Sequence, residues 1–325
     1  MSSVLVTAPY MIPFMDRFRP ILQHFGLQTI EPDVEERMEA EDLLKYAGQF
    51  DGTICGDDRY TREVVAACVP RLKVISTWGT GIDSIDQEAC HDYGVSVRNT
   101  PNAFTVPVAE SVLAYMLAFA RRQPWMDREM KAGLWKKLPG HTLSESTLGV
   151  IGVGNIGKAV LRRARVFGMK LLGNDIVEIA PDFVVENNVE MTGLKDLIKR
   201  ADYISVNCSL NASSRHLINA ETLSGAKPNA VLINTSRGPV VKEADLVKAL
   251  EQGRLRGAAL DVFEDEPLPM ESPLRRMDNV MLAPHNTNSS PIAWERIHWN
   301  TLRNLLVGLD IPVGDIESLK ALEVK

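Results

Sequence analysis

One hexapeptide constrains this chain more than any other stretch: Gly152-Val153-Gly154-Asn155-Ile156-Gly157. It follows the apolar run Thr147-Leu148-Gly149-Val150-Ile151 and opens a segment, 155–168, that carries Ala159, Val160, Leu161 and Ala164 at helical spacing. Between a buried strand and a helix each glycine has a task. One makes the tight turn, one lets backbone approach a pyrophosphate, and one lets helix pack closely on sheet. The helix N-terminus then offers unpaired N–H groups and the positive end of its dipole to phosphate. A second strand, Lys170-Leu171-Leu172-Gly173-Asn174, ends at Asp175, eighteen residues past Gly157. That is near the spacing of a carboxylate that accepts hydrogen bonds from an adenosine ribose. A structural turn followed by an incidental surface acid is the plainer alternative. Strand, glycines, helix and acid in register favour a dinucleotide site.

The segments around this motif repeat its pattern. Strand-like runs at 203–206, 230–234 and 257–260 alternate with helical ones such as 242–252, and an earlier series has strands at 3–7, 51–55, 72–76 and 95–97. Helical patterns at 13–25, 61–68 and 83–92 separate the earlier strands. Strands spaced by helices imply parallel βαβ units. The expected fold is therefore α/β, with two doubly wound parallel-sheet halves. A length of 325 residues suits two domains. The segment 106–121 is apolar nearly all the way round, which predicts burial between domains or subunits. Helical spacing returns at 292–309, with Trp294, Ile297, Trp299, Leu302, Leu305 and Leu306.

Composition narrows the function classes. Lys plus Arg number 36 against 42 Asp plus Glu, a net charge of -6, so no global field draws nucleic acid or anionic lipid. No apolar run is long enough to span a bilayer, and the N-terminus reads as a strand. A cytoplasmic location is expected. The cysteines Cys55, Cys68, Cys90 and Cys208 form no CxxC pair and do not cluster with His, so neither a disulfide scaffold nor a metal site is expected.

Past predicted strands stand Asn234-Thr235-Ser236-Arg237-Gly238, Asp261-Val262-Phe263-Glu264-Asp265-Glu266-Pro267 and Ala283-Pro284-His285. Ligands of open α/β sheets sit beyond the carboxyl ends of strands. Arg237, Glu266 and His285 make chemical sense together. A guanidinium forks onto a carboxylate or a polarised carbonyl. A histidine exchanges a proton near neutral pH, and a partnering glutamate orients it. Read singly, each has a plainer role: Arg237 as a cap or surface partner, Glu266 as one of several loop acids, His285 as a structural histidine after Ala-Pro.

With these motifs in place, the chain resembles the D-isomer-specific 2-hydroxyacid dehydrogenase family, in its phosphoglycerate dehydrogenase and glyoxylate/hydroxypyruvate reductase-like branch. The resemblance runs along nearly the whole chain. It rests on Trp78-Gly79-Thr80-Gly81-Ile82-Asp83, Asn99-Thr100-Pro101, Val108-Ala109-Glu110, the glycine hexapeptide, Thr235-Ser236-Arg237-Gly238, Leu260-Asp261-Val262-Phe263 with Glu266-Pro267, and Pro284-His285. It implies that a Rossmann-type cofactor domain, 99–290, is inserted into a flavodoxin-like substrate domain made of 1–98 plus 291–325, with the active site in the cleft between them. NAD is the implied cofactor. Arg237 would bind the substrate carboxylate and carbonyl. His285 would give or take the proton, and Glu266 would hold His285. Backbone around Trp78, Gly79, Thr80 and Gly81 would receive the carboxylate. Asn155 and Ile156 would meet the pyrophosphate, and Cys208 would face the cofactor through its backbone. Asp261 and the Thr235 carbonyl would hold the nicotinamide carboxamide.

The implied activity is hydride transfer between NAD(H) and a small D-2-hydroxy acid or 2-oxo acid. Two alternatives stand beside it: a reductase acting mainly on glyoxylate or hydroxypyruvate, and an NAD-sensing, corepressor-like binding protein. A homodimer through the cofactor domain is expected, and neither nucleic acid nor membrane is an expected partner. The chain also departs from the family pattern. Asn286-Thr287-Asn288-Ser289-Ser290 stands where a glycine pair is usual, Ser209 where proline is common, and Thr77 where phosphoglycerate dehydrogenases often carry a basic residue. Arg59 is then the remaining candidate for an extra anionic group, with a solvated loop arginine as the plainer reading. With Lys325 as the last residue, the regulatory C-terminal domain of longer relatives is not expected.

Overall fold

A computed structural model describes residues 2–323. The chain divides into two compact units, Met1–Ala103 with Ser290–Lys325 and Phe104–Ser289.

The first unit holds five strands, β1 (Ser2–Val6), β2 (Leu27–Ile30), β3 (Gly52–Cys55), β4 (Val74–Thr77) and β5 (Ser96–Arg98), in the order β2-β1-β3-β4-β5. All pairings are parallel. This is the flavodoxin-like strand order, reversing between β1 and β3. Its helices are α1 (Met15–His24), α2 (Ala40–Leu44), α3 (Arg62–Cys68) and α4 (Gln87–Asp92). Gly26 and Gly94, both with positive φ, end the turns after α1 and α4. One layer buries Leu43, Val64, Val65 and Ala89 against Leu5, Cys55 and Ile75 of the sheet.

The second unit begins with α5 (Thr105–Arg121) and α6 (Gln123–Lys131). Seven strands follow: β6 (Thr147–Ile151), β7 (Lys170–Asn174), β8 (Val189–Met191), β9 (Tyr203–Val206), β10 (Val231–Asn234), β11 (Gly257–Leu260) and β12 (Val280–Leu282). Their order is β12-β11-β10-β9-β6-β7-β8, again wholly parallel. Helices α7 (Asn155–Val166), α8 (Pro181–Asn187), α9 (Leu194–Arg200), α10 (Ala220–Leu223) and α11 (Glu243–Glu251) connect them. One face of the sheet packs α5 and α7, with Val112, Met116, Val160 and Ala164 over Leu148, Val150 and Val231. The other face packs α9 and α11, with Leu197, Ile198, Leu246 and Leu250. Strand order reverses between β6 and β9, so ligand space is expected at the carboxyl ends of these two strands.

The chain returns to the first unit through α12 (Pro291–Gly308), which packs on β3, β4 and β5, and ends with α13 (Ile316–Lys320). Ser290 caps α12 by accepting from the Ala293 N–H, and Pro291 occupies its first turn, where a missing N–H costs nothing.

The apolar helix expected at 106–121 is α5. Its Val112, Leu113, Met116 and Phe119 are buried in the second unit's own core, while Val106, Glu110 and Ala114 are exposed. A single face therefore satisfies the core, and the opposite one presents Val106, Glu110, Ala114 and Arg121. Among the described residues no helix is long and apolar enough to cross a membrane.

Candidate active site

Ile151 ends β6, and the chain turns at Gly152 with φ 88°, a conformation only glycine adopts without strain. A Cβ on Gly152 would lie 2.5 Å from the backbone nitrogen of Cys208, so the turn rests directly on the segment after β9. A Cβ on Gly157 would lie 2.1 Å from the Gly152 carbonyl oxygen, which is the close packing of helix on turn that the hexapeptide predicts. A Cβ on Gly154 would meet nothing within 4 Å, so the tip of the turn is open. Gly154, the N-cap of α7, brings no side chain to cap the helix. Open glycine backbone beside a helix start lacking a side-chain cap is what a pyrophosphate requires.

Asp175 sits at the end of β7 and engages this turn. Its Oδ2 accepts the Val153 N–H at 2.6 Å, and its Oδ1 accepts the Val177 N–H at 3.1 Å. The ribose-reading candidate thus also orders the glycine loop. Asn207 Oδ1 and Thr235 Oγ1 are buried with no hydrogen-bond partner, and they follow β9 and β10 at the carboxyl edge of the sheet. Buried orphan polar atoms are costly, so a group bound at that edge would satisfy them. These features fit a dinucleotide. The thiol of Cys208 is pushed up to about 11 by burial, which keeps it protonated and agrees with a packing role.

Arg237 follows β10 on a turn built by Asn234, whose Oδ1 accepts from Ser236 N at 3.1 Å and whose Nδ2 donates to the Arg237 carbonyl at 3.0 Å. The next residue, Gly238, allows no side chain: a Cβ there would fall 1.7 Å from the Phe263 carbonyl oxygen. The Arg237 turn therefore lies against the loop 261–267.

That loop carries Glu266. Its Oε1 accepts the Phe263 N–H at 2.8 Å, and its Oε2 stands 3.0 Å from His285 Nδ1. Both side chains are mostly buried, at 21% and 16% exposure for His285 and Glu266. A carboxylate at Nδ1 fixes the ring orientation and stabilises the imidazolium, which is how acid–base histidines are held. His285 has φ 48°, uncommon for a residue with a side chain. The conformation is held by Asp261. Its carbonyl accepts the His285 N–H at 2.8 Å, and its fully buried carboxylate accepts the N–H groups of Asn286 and Thr287. Asp261 is thus engaged as a clamp on the histidine turn, a task sequence did not suggest. Asn288 Oδ1, three residues beyond His285, is a further buried atom with no partner.

Trp78, Gly79, Thr80 and Gly81 lie in the first unit, at the carboxyl end of β4. The Gly79 carbonyl accepts from both the N–H and the hydroxyl of Thr100, and the Thr80 carbonyl accepts from Asn99 Nδ2 at 2.6 Å. Asn99-Thr100 therefore stakes the glycine turn in place. Among the described residues, no three His, Cys, Asp or Glu side chains converge as a metal site.

The family model described as D-isomer specific 2-hydroxyacid dehydrogenase, NAD binding domain, matches residues 113–287. The chain is 40% identical over 276 residues to the glyoxylate reductase of Thermofilum pendens, across 83% of this chain and 81% of that one. It is 38% identical over 295 residues to the D-3-phosphoglycerate dehydrogenase of Methanocaldococcus jannaschii, across 89% of this chain but 54% of the relative, about half that protein's length. The crystal structure of D-lactate dehydrogenase from Aquifex aeolicus, complexed with NAD and lactic acid, superposes with a TM-score of 0.85 at 28% identity, over 98% of both chains. Glycine turn, orphan polar edge and family match converge: the chain belongs to the D-isomer specific 2-hydroxyacid dehydrogenase family and is an NAD-dependent enzyme.

Proposed function

We propose that the enzyme interconverts a small 2-oxo acid and its D-2-hydroxy acid, with Arg237 as the substrate-binding cation and His285 as the acid–base group. The 3.0 Å pairing of His285 with Glu266, on a turn clamped by Asp261, carries this reading. NAD(H), when bound, supplies or accepts the hydride at C2 of the substrate. Gly152, Gly154, Asn155, Ile156, Gly157 and Asp175 would hold its adenosine and pyrophosphate end, and Cys208 backbone, Thr235 and Asp261 its nicotinamide end. Arg237 binds the carboxylate and polarises the carbonyl through its charged fork. In reduction, His285 donates a proton to the carbonyl oxygen, and Glu266 stabilises the charged ring before that transfer. In oxidation Nε2, the ring nitrogen not engaged by Glu266, removes the hydroxyl proton. Trp78, Gly79, Thr80 and Gly81 are assigned to the substrate carboxylate, as the family resemblance implies.

Glyoxylate and hydroxypyruvate are the first substrates to try, because the chain is 40% identical to a glyoxylate reductase. Purified protein with NADH and a panel of glyoxylate, hydroxypyruvate, pyruvate and larger 2-oxo acids tests the proposal through loss of NADH absorbance. Turnover of at least one acid supports it. Tight NADH binding with no turnover of any supports the NAD-sensing alternative instead.

The same reading includes a homodimer formed through the second unit. Trp125 is absorbed within that unit: its ring packs 5.1 Å from Phe119, and its indole N–H donates to the Asp278 carbonyl at 2.8 Å. Trp135 is not, at 85% exposure, and Met130 and Leu134 are each at least half exposed. So much apolar surface in one short stretch favours a protein partner, and a second copy is the partner proposed.

A further inference from the structure

The loop 261–267 bears two His–Glu pairs, and the acid–base reading uses only one. Glu264 Oε1 stands 2.6 Å from His216 Nε2, on the segment between β9 and α10. The other oxygen, Oε2, accepts the Glu243 N–H at 3.1 Å, at the start of α11. Glu264 therefore ties its loop to two different elements. Half-exposed His–Glu pairs contribute little to stability. This one sits where little movement is tolerable. The Gly238 position, one residue from Arg237, lies against the Phe263–Glu264 peptide, and Glu266 two residues on reaches His285.

His216 is itself tightly placed. It has φ 53°, an uncommon backbone for a residue with a side chain. Its N–H donates to the Pro239 carbonyl at 2.8 Å, and its carbonyl accepts from Asn219 Nδ2 at 2.9 Å. The segment that carries it starts at Asn207-Cys208, the backbone on which Gly152 rests. One bond thus joins the loop beside the glycine turn to the loop that holds Glu266.

We propose that His216 and Glu264 are positioning residues, which hold the 261–267 loop so that Glu266 stays in line with His285 Nδ1. This rests on the acid–base reading of His285. Without the bond, Glu266 supports the charged imidazole less well, so His285 loses its proton at lower pH. Reduction needs that proton, so the basic limb of kcat/KM moves down the pH scale. Other ionisable groups around the loop include Asp261, Asp265, Glu243, Arg237 and, from α5, Tyr115. They remain unchanged in the variants and act as a constant background.

The test compares His216→Ala, His216→Gln and Glu264→Gln with the native protein, using NADH and whichever 2-oxo acid it reduces best. His216→Ala is expected to lose about tenfold in kcat, to keep its KM for NADH within about twofold, and to shift the basic limb down by ~0.5 pH unit. Gln at 216 places an amide near the His Nε2 position and should restore most of both effects. Should His216→Ala melt near the assay temperature, Glu264→Gln, which keeps one acceptor oxygen, provides the same readout with a smaller shift. A basic limb that stays at the native pH in folded His216→Ala overturns the proposal, since a merely structural bond alters thermal stability but not the limb. His285→Ala in parallel separates the two failures. If it remains active, the acid–base reading falls as well. If it is inactive while His216→Ala keeps the native limb, only the positioning role is lost.

Discussion

The indole N–H of Trp78 donates to Nδ1 of His298 at 2.9 Å, and this bond dictates which form of the imidazole the first unit can bury. Nδ1 must be an acceptor, so the ring is neutral. Burial pushes His298 down to about 4, against an ordinary value of 6.5. Between those values the unfolded chain binds a proton that the native unit refuses, so stability contributed here is present above pH 6.5 and lost as pH falls toward 4. The loss reaches about 3 kcal/mol at its limit. Asn at 298 keeps an acceptor near Nδ1 but does not titrate. The urea midpoint of native protein is therefore expected to fall relative to His298→Asn between pH 7 and pH 4.5. Parallel curves would refute the assignment.

Asp58 in the same unit works in the opposite sense. Its fully buried carboxylate accepts from the Thr7 hydroxyl and, at 2.6 Å, from the Met38 N–H, yet burial raises it to about 6. The native unit then takes up a proton near pH 6 that the unfolded chain accepts only near the ordinary carboxylate value of 3.8. Stability rises as pH falls through that window, by about 3 kcal/mol at most. Asp58→Asn should therefore gain least from acidification, with its urea midpoint approaching or falling below that of native protein as pH drops from 7 to 4.5. The two buried groups nearly offset each other in the native chain, and single variants uncover opposite slopes.

In the proposed chemistry, His285→Ala is expected to lower turnover by roughly a hundred- to ten-thousand-fold while NADH binding, read by fluorescence titration, changes little. Arg237→Ala should both weaken the oxo acid and slow its reduction, because one side chain serves carboxylate and carbonyl. Near-native turnover by either variant contradicts the roles given to them.

The sequence was most readable where burial is complete. Strands 147–151, 170–174, 203–206 and 257–260 coincide residue for residue with β6, β7, β9 and β11, interior strands whose middle residues are buried and leave little ambiguity. Leu27–Ile30, Val189–Met191 and Val280–Leu282 carry no such signal in the sequence. They are edge strands of three or four residues, open on one side, so Gln28 and Glu190 interrupt any buried run. For the site, residue type and order were enough to nominate Arg237, Glu266 and His285, since their chemistry is local to each side chain. The clamp by Asp261 and the bond between His216 and Glu264 were not legible. They join residues 24 to 48 positions apart, and only the parallel sheet, which brings successive strand ends to one edge, makes them neighbours.

Self-association is expected to depend on the apolar stretch after α6. Trp135→Glu with Leu134→Lys should convert a dimeric mass in light scattering at micromolar concentration into a monomeric one, with folding unchanged by circular dichroism. A monomeric native protein under those conditions would leave the exposure of Trp135 without this explanation.

The choice between NAD and NADP turns on Asp175. Its two oxygens bond Val153 and Val177 backbone, so the carboxylate is fixed beside the glycine turn. The residues that follow, Ile176-Val177-Glu178-Ile179-Ala180-Pro181-Asp182, add two acids and no base. Lys158 and Arg162 of α7 both lie over the Phe183 ring of α8, at 5.5 and 5.2 Å from its centroid. A 2′-phosphate placed against Asp175 thus meets like charge where a basic partner is required. Tenfold discrimination needs only ~1.4 kcal/mol, and juxtaposed like charges commonly cost more. NADH is therefore expected to exceed NADPH by at least roughly tenfold in kcat/KM. Asp175→Ala should narrow the ratio from both sides, because it removes the repulsion and also loosens the Val153 turn that NADH needs. Steady-state kinetics with both cofactors measure this, and equal or better use of NADPH by the native enzyme would show that a base from elsewhere in the chain, rather than Asp175, governs the ribose site.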